Sequence, residues 1–294
     1  MNQGFNHTQV LKAPAAGQSL ETYLAARYQH SDLSTWQARI ANAELWIDGH
    51  QAQAHNILKA GMTLEWRRPP WEEPAVPTEV PVLYQQGGVV VVSKPSGLPT
   101  QPGGGFFQNT LVHWVKENFG AAPMHRLGRW TSGAVLCSSN RVVGAGIAHQ
   151  FSSRRIHKRY RALLQGLPEQ DRTEVTVPIG PVPYAPLGTL HAANPQGRAS
   201  KSEFIVLERR QESSLCDVHI ASGRPHQIRI HSAAMGHPLV GDPIYAPGGL
   251  PIPGTTALPG DPGYHLHSAE LGFKHPETGE RVTIIAPAPE LLEL

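Results

Sequence analysis

The sequence predicts an α+β protein of two domains, and three observations carry that reading. Its 294 residues leave room for a small domain beside a larger one with a sizeable core. With 27 prolines and 29 glycines, turns and short elements should outweigh long helices. Short apolar runs such as Val89-Val90-Val91-Val92 and Ala134-Val135-Leu136-Cys137 alternate with stretches whose apolar residues recur at helical spacing. Hydrophobic residues at 40% and charged residues at 16% describe a globular chain and exclude a disordered one.

Residues 1–16 show no strong pattern and read as a strand-like or frayed segment. From Gln18, the positions Leu20, Tyr23, Leu24 and Tyr28 share one helical face, with Ser19 placed to cap it. A second short helix is predicted around Leu33 to Ala43. Glu44 to His50 reads as a strand entering an Asp48-Gly49 turn, and Asn56 to Trp66 as a further hairpin arm. Arg67 to Pro81 carries Pro69, Pro70, Pro74, Pro77 and Pro81 among three glutamates, the composition of a semi-rigid linker. The domains are accordingly placed at 1–66 and 82–294, joined by 67–81.

In the second domain Val89 to Ser93 suits a strand buried on both faces. It ends in the turn Lys94-Pro95-Ser96-Gly97, after which Asn109 or Thr110 caps a helix bearing Leu111, Val112, Trp114 and Val115. Ala134 to Cys137 is another buried strand, and Asn140 caps a helix to about Phe151. Lys158 to Gln165 is a basic strand, residues 168–200 read as loop and short strand, and Glu203–Glu208 pairs with Asp217–Ile220. A helix is expected to start with Pro225 in its first position, run to Met235 and stop at Gly236. Between Tyr245 and Tyr264 lies a Pro/Gly-rich surface loop, followed by the strand His265 to Ala269.

The net charge of +2 hides an uneven distribution. Between Asn118 and Pro168 there is no Asp or Glu, while Arg126, Arg129, Arg141, Arg154, Arg155, Lys158, Arg159 and Arg161 all fall there. Such one-sided charge attracts a polyanion, the phosphate backbone above all; a solvated basic loop is the plainer alternative. Cys137 and Cys216 sit in apolar runs and read as reduced core residues of a cytoplasmic protein. No apolar leader opens the chain and no long apolar run follows, so no membrane is expected. The sixteen histidines do not make a metal site: His226 and His231 are five apart, where paired helical ligands stand four apart. Ser132 lacks the G-x-S-x-G frame of a nucleophilic elbow and reads as a loop-capping residue.

Four motifs then occur in order: Lys94-Pro95-Ser96-Gly97; His125-Arg126-Leu127-x-Arg129-x-Thr131-Ser132-Gly133; Lys158-x-Tyr160-x-Ala162; and Gly223-Arg224-Pro225-His226-Gln227-Ile228-Arg229-Ile230-His231 with Gly236-His237-Pro238-Leu239-x-Gly241-Asp242. From about residue 80 onward the chain resembles the RluA-type RNA pseudouridine synthases. The resemblance implies a mixed, mainly antiparallel central sheet with flanking helices. Residues 1–66, with two helices and a small hairpin, resemble the S-four type of RNA-binding domain first described in a ribosomal small-subunit protein. That copy is acidic, six Lys/Arg against eight Asp/Glu through residue 80, so RNA-binding and capping roles both stand open.

The implied activity is a cofactor-free isomerisation of uridine in folded ribosomal or transfer RNA by a cytoplasmic monomer. The target base leaves its stack to be handled. By resemblance Tyr160 lies against the flipped base, Arg126 fills the gap it leaves, and Arg229 pairs with the family's catalytic Asp. His125, Arg129, Thr131, Lys94, Arg224 and His226 are placed among the substrate-binding residues on the same ground. The position of that catalytic Asp is here Gly128, which has no side chain to act. Three readings follow: an inactive RNA-binding protein that keeps the cleft; a carboxylate from elsewhere, Asp242 or Asp261, folded into the pocket; or chemistry by positioning through Arg229 and Tyr160 alone. A buried Arg229 with no acid beside it would be an uncompensated charge. It is therefore expected to be exposed or to be paired with another acid or an anion.

Overall fold

The computed structural model describes residues 1–28 and 31–294, which divide into two compact units, Met1–Glu73 and Pro74–Leu294. The first unit contains β1 (Phe5–Val10), α1 (Leu20–Arg27), α2 (Leu33–Ala41), β2 (Leu45–Ile47), β3 (His50–Gln51) and β4 (Thr63–Arg68). Its sheet runs β1-β4-β2-β3 and is antiparallel throughout. Ser19 caps α1 by accepting from the Thr22 amide at 3.4 Å, and Asp32 caps α2 by accepting from Thr35 at 2.8 Å. The second helix stops two residues short of Ala43, which adopts a left-handed φ of 60°. Strand β4 starts at Thr63 rather than near Asn56, because Asn56 Oδ1 accepts from the Gln53 amide at 2.6 Å and holds a turn there. Leu20, Leu24, Trp36, Ile40, Leu45, Leu58 and Leu64 form this unit's core. Asn2 fastens the following chain by donating to Glu73 Oε1 at 2.7 Å and accepting from the Trp71 amide at 3.1 Å.

The second unit opens with β5 (Val82–Gln86), β6 (Val89–Lys94), α3 (Leu111–Phe119), β7 (Ala122–Pro123), β8 (Ser132–Ser138), α4 (Arg141–Ser152) and β9 (His157–Gln165). It continues with β10 (Arg172–Val175), β11 (Ile179–Tyr184), β12 (Gly188–Ala193), β13 (Ser202–Arg209), β14 (Ser213–Ile220) and α5 (Gln227–Ala234). It closes with β15 (Tyr245–Ala246), β16 (Leu250–Pro251), β17 (Leu266–Lys274) and β18 (Arg281–Ile285). Ten strands form one sheet in the order β10-β13-β14-β9-β17-β8-β6-β5, with β18 added to β17 and β7 to β8. Among the described residues every pairing is antiparallel except β8 with β17, where Ser132 faces His267 and Gly133 faces Ser268. The α+β class with a mixed, mainly antiparallel sheet is therefore realised.

Strands β6 and β8 are buried on both faces, as their unbroken apolar runs require. Val89, Val91, Ala134 and Leu136 pack against Val143 and Ile147 of α4. Val90, Val92, Val135 and Cys137 join Leu111 and Val115 of α3 and Ile228 of α5 in the main core. Each such side chain contributes about 1.5–3 kcal/mol relative to exposure. Thr110 rather than Asn109 caps α3, accepting from His113 N at 3.3 Å, and Asn140 caps α4, accepting from Val143 N at 2.8 Å. Val76 and Val80, from the proline-rich stretch, pack on the main core.

The largest departure from the sequence expectation lies at α5. The helix begins at Gln227, not Pro225, because His226 takes a left-handed φ of 53° that no helix continues through. Gln227 folds back instead, its Oε1 accepting from Ser222 Oγ at 2.7 Å and from the Arg224 amide at 3.1 Å. Among the described residues no helix is long and apolar enough to cross a membrane.

Candidate active site

Gly133 explains why the basic nonapeptide ends where β8 meets β17. A Cβ there would lie 2.3 Å from Ser268 O, and φ is +104°, so only glycine lets the two strands touch. Ser132 Oγ, 2.8 Å from His267 Nδ1, fastens the same junction, and His267 Nε2 faces Ala286 O at 3.2 Å. Ser132 is thus a buried strand residue within the sheet.

Upstream, the loop is held from beneath by Lys94. Its side chain is fully buried, and its ammonium donates to the carbonyls of Pro95 at 2.9 Å, Leu98 at 2.8 Å and Arg129 at 3.0 Å. Burial pushes this amine down to about 7, with Arg129 adding repulsion. Three carbonyls around three N–H donors make Lys94 a clamp on the loop, not a hand for the substrate. Thr100 pins Leu127 from the side, donating to its carbonyl at 2.9 Å and accepting from its amide at 3.2 Å. Arg129 is likewise spent on structure: Nε donates to Gly97 O at 3.0 Å, and the guanidinium lies 4.5 Å from the Phe106 ring centre. His125 accepts from the Leu136 amide at 3.0 Å, and burial, then the charge of Lys158, push its imidazole down to about 3. These four residues shape the loop, whereas Arg126 is exposed.

Beyond the loop, α5 presents Arg229 to Asp242, Nε donating to Oδ2 at 2.6 Å and Nη2 to Oδ1 at 2.8 Å. The side chains are 3% and 0% exposed. Asp242 Oδ1 also accepts from the amides of Ile244 at 2.9 Å and Tyr245 at 3.2 Å, which fix it independently. Burial alone would lower the guanidinium, but the hydrogen bonds and charge of Asp242 more than offset this and hold it above its ordinary value. The expectation that Arg229 would find another acid is met by Asp242. Asp261 is occupied elsewhere, Oδ2 accepting from the Leu258 amide at 2.7 Å within its own turn.

Two tyrosines missed by the sequence reading complete the site. The Arg229 guanidinium lies 4.2 Å from the ring centre of Tyr264 and 5.2 Å from that of Tyr245. Tyr245 donates to His191 O at 2.6 Å and stands 2.6 Å from His226 Nδ1. Burial, then the charge of Arg229, push His226 down to about 3, and Arg126 is near enough to add to that field. Tyr264 reaches Gly128: a Cβ at residue 128 would stand 2.7 Å from the Tyr264 hydroxyl. Tyr160 on β9 packs in the same core as Leu127, Ile228 and Tyr264, and burial pushes its phenol up to about 12. Among the described residues four buried side-chain atoms lack a hydrogen-bond partner: Gln9 Nε2, Arg224 Nε, Arg229 Nη1 and Ser268 Oγ. In sequence both tyrosines appeared only as the ends of a surface insertion; Tyr245, three residues after Asp242, offered a signal, and Tyr264 offered none. Among the described residues no three His, Cys, Asp or Glu side chains are grouped to hold a metal.

Comparison with known proteins agrees with this fold. Residues 88–234 match the RNA pseudouridylate synthase family. An uncharacterized RNA pseudouridine synthase of Synechocystis is 38% identical over 91% of this chain and 93% of its own length. RNA pseudouridine synthase 5 of Arabidopsis thaliana is 36% identical over 93% and 89%. Ribosomal large subunit pseudouridine synthase D of Xanthomonas campestris is 31% identical over 97% and 89%. Among solved structures, human RNA pseudouridylate synthase domain containing 1 superposes with a TM-score of 0.58 at 25% identity, covering 74% of this chain and 87% of that one. The chain belongs to the RNA pseudouridine synthase family, in its RluA-type branch.

Proposed function

We propose that this chain isomerises uridine to pseudouridine in structured RNA, with ribosomal RNA the first substrate to test given the Xanthomonas relative's name. The observation that carries the reading is the buried, bidentate Arg229–Asp242 pair with Arg229 Nη1 left free to donate. A cleft kept only to hold RNA has no use for a desolvated charge pair beneath a base pocket. In the reaction the C1′–N1 bond breaks, the uracil turns, and C5 is joined to C1′; C5 loses a proton and N1 gains one, so the change is an isomerisation needing no cofactor. By resemblance Arg126, exposed within the loop, stacks in the gap left by the flipped base. Tyr160 backs the base, and Asp242 neutralises and aims Arg229.

The proposal includes a cytoplasmic monomer whose first unit serves as an RNA-binding or capping domain; two buried, unpaired cysteines fit a reducing compartment. The test is RNA tritiated at uracil C5, since the new bond expels that hydrogen. Tritium release by the wild type that disappears in Arg229→Ala is the expected result. Tight RNA binding without release, across ribosomal and transfer RNA, would establish the non-catalytic reading instead.

A further inference from the structure

Why residue 128 has no side chain is answered by its neighbour. Gly128 does not have the left-handed φ that makes glycine obligatory at Gly133, and its surface is open to solvent. What a Cβ would meet is the Tyr264 hydroxyl at 2.7 Å, with Thr131 Oγ1 next at 3.4 Å. That hydroxyl is not easily displaced. Tyr264 is 4% exposed, its ring is stacked on the guanidinium of Arg229, and it belongs to the main core. Among the described residues the hydroxyl's one hydrogen-bond partner is Thr131 Oγ1, at a long 3.4 Å. The charge that accompanies Arg229 thus comes from Asp242, while the space at residue 128 is taken by Tyr264.

We propose that Tyr264 is a substrate-contacting catalytic residue, its hydroxyl and Arg229 Nη1 donating together to a uracil carbonyl oxygen of the flipped uridine. This rests on the synthase reading above. As C1′–N1 breaks, the bonding electron pair stays on the uracil and spreads onto its carbonyl oxygens, where two fixed donors stabilise it. After the ring turns, C5 bonds to C1′, the C5 proton passes to water, and N1 takes a proton from water. Tyr264 thereby assists departure of the base, a different task from that of a carboxylate acting on the sugar.

The test compares Tyr264→Phe with the wild type for tritium release, RNA affinity and thermal stability. Phe keeps the ring on Arg229 and removes only the oxygen. The expected result is a kcat lower by about 10²–10³-fold, with RNA affinity and melting temperature nearly unchanged. Turnover within about threefold of the wild type would overturn the proposal, since such a change is too small for a lost charge-stabilising donor. Gly128→Ala adds a geometric arm. In the wild type its Cβ collides with the hydroxyl and turnover falls; with Tyr264→Phe the nearest ring atom is 4.0 Å away, and the same alanine changes nothing further. Equal effects of Gly128→Ala in both backgrounds would also overturn it. If the wild type itself released no tritium, the synthase reading would fall, a result distinct from an active wild type that tolerates Tyr264→Phe.

Discussion

Asp242→Asn isolates the charge of the buried pair while keeping nearly the same shape. Both partners are all but inaccessible, so the neutral side chain leaves Arg229 with no counter-charge and no water. Breaking such a pair from one side costs about 3–5 kcal/mol. For a unit of this size that corresponds to a fall of roughly 6–20 °C in melting temperature. Urea unfolding monitored by tryptophan fluorescence gives the number directly, as a lower midpoint at unchanged slope. Asp242 also accepts from the Ile244 and Tyr245 amides. In an Arg229→Met background the carboxylate is itself uncompensated, so Asp242→Asn should cost less than about 1 kcal/mol or stabilise, the Asn oxygen still accepting from those two amides. The difference is the coupling between the charges. A loss below about 1 kcal/mol in the wild-type background, or the same loss in both backgrounds, would refute the assignment of Asp242 as the acid that sustains Arg229.

Two more expectations follow. Lys94→Met removes three hydrogen bonds from an ammonium to buried carbonyls and should cost about 3–5 kcal/mol, loosening the loop that carries Gly128; hydrogen exchange at residues 96–100 and 127–131 would rise, and unchanged exchange would contradict the clamp. His125 and His226, both held down to about 3, stay neutral in the folded state while the unfolded chain takes up protons below about 6.5. Stability should therefore fall as pH drops from about 6.5 toward 3, by at most about 1.4 kcal/mol per pH unit per histidine. His226→Asn should flatten that slope, and an unaltered slope would show that His226 is free to protonate.

Local chemistry was legible wherever a residue's neighbours in space were also its neighbours in sequence. Ser19 and Asn140 announced their helices because a cap acts within three residues, and Val89–Val92 announced its two-sided burial by composition alone. The helix at Pro225 was misplaced because the left-handed turn at His226 accompanies a contact with Tyr245, nineteen residues on. Lys94 was placed among the substrate-binding residues by resemblance; only the fold shows three carbonyls converging on it. Asp242 was legible as a candidate, yet nothing local distinguished it from Asp261. Tyr264 was illegible for the same reason, since its partners Thr131 and Arg229 lie far away along the chain.

The position of β17 has a consequence for how this protein is made. That strand is among the last in sequence, but in the sheet it lies between β9 and β8, the two strands that carry Tyr160 and lead out of the Gly128 loop. Until it arrives, both strands present bare edges to one another and to any other chain. The ribosome must therefore have released the chain through β17 before these two strands can be bridged. Tyr264, two residues ahead of β17, reaches Gly128 only at that moment. A nascent chain that ends before Tyr264 has nothing to set against Gly128, so the site cannot form until this late segment has been made.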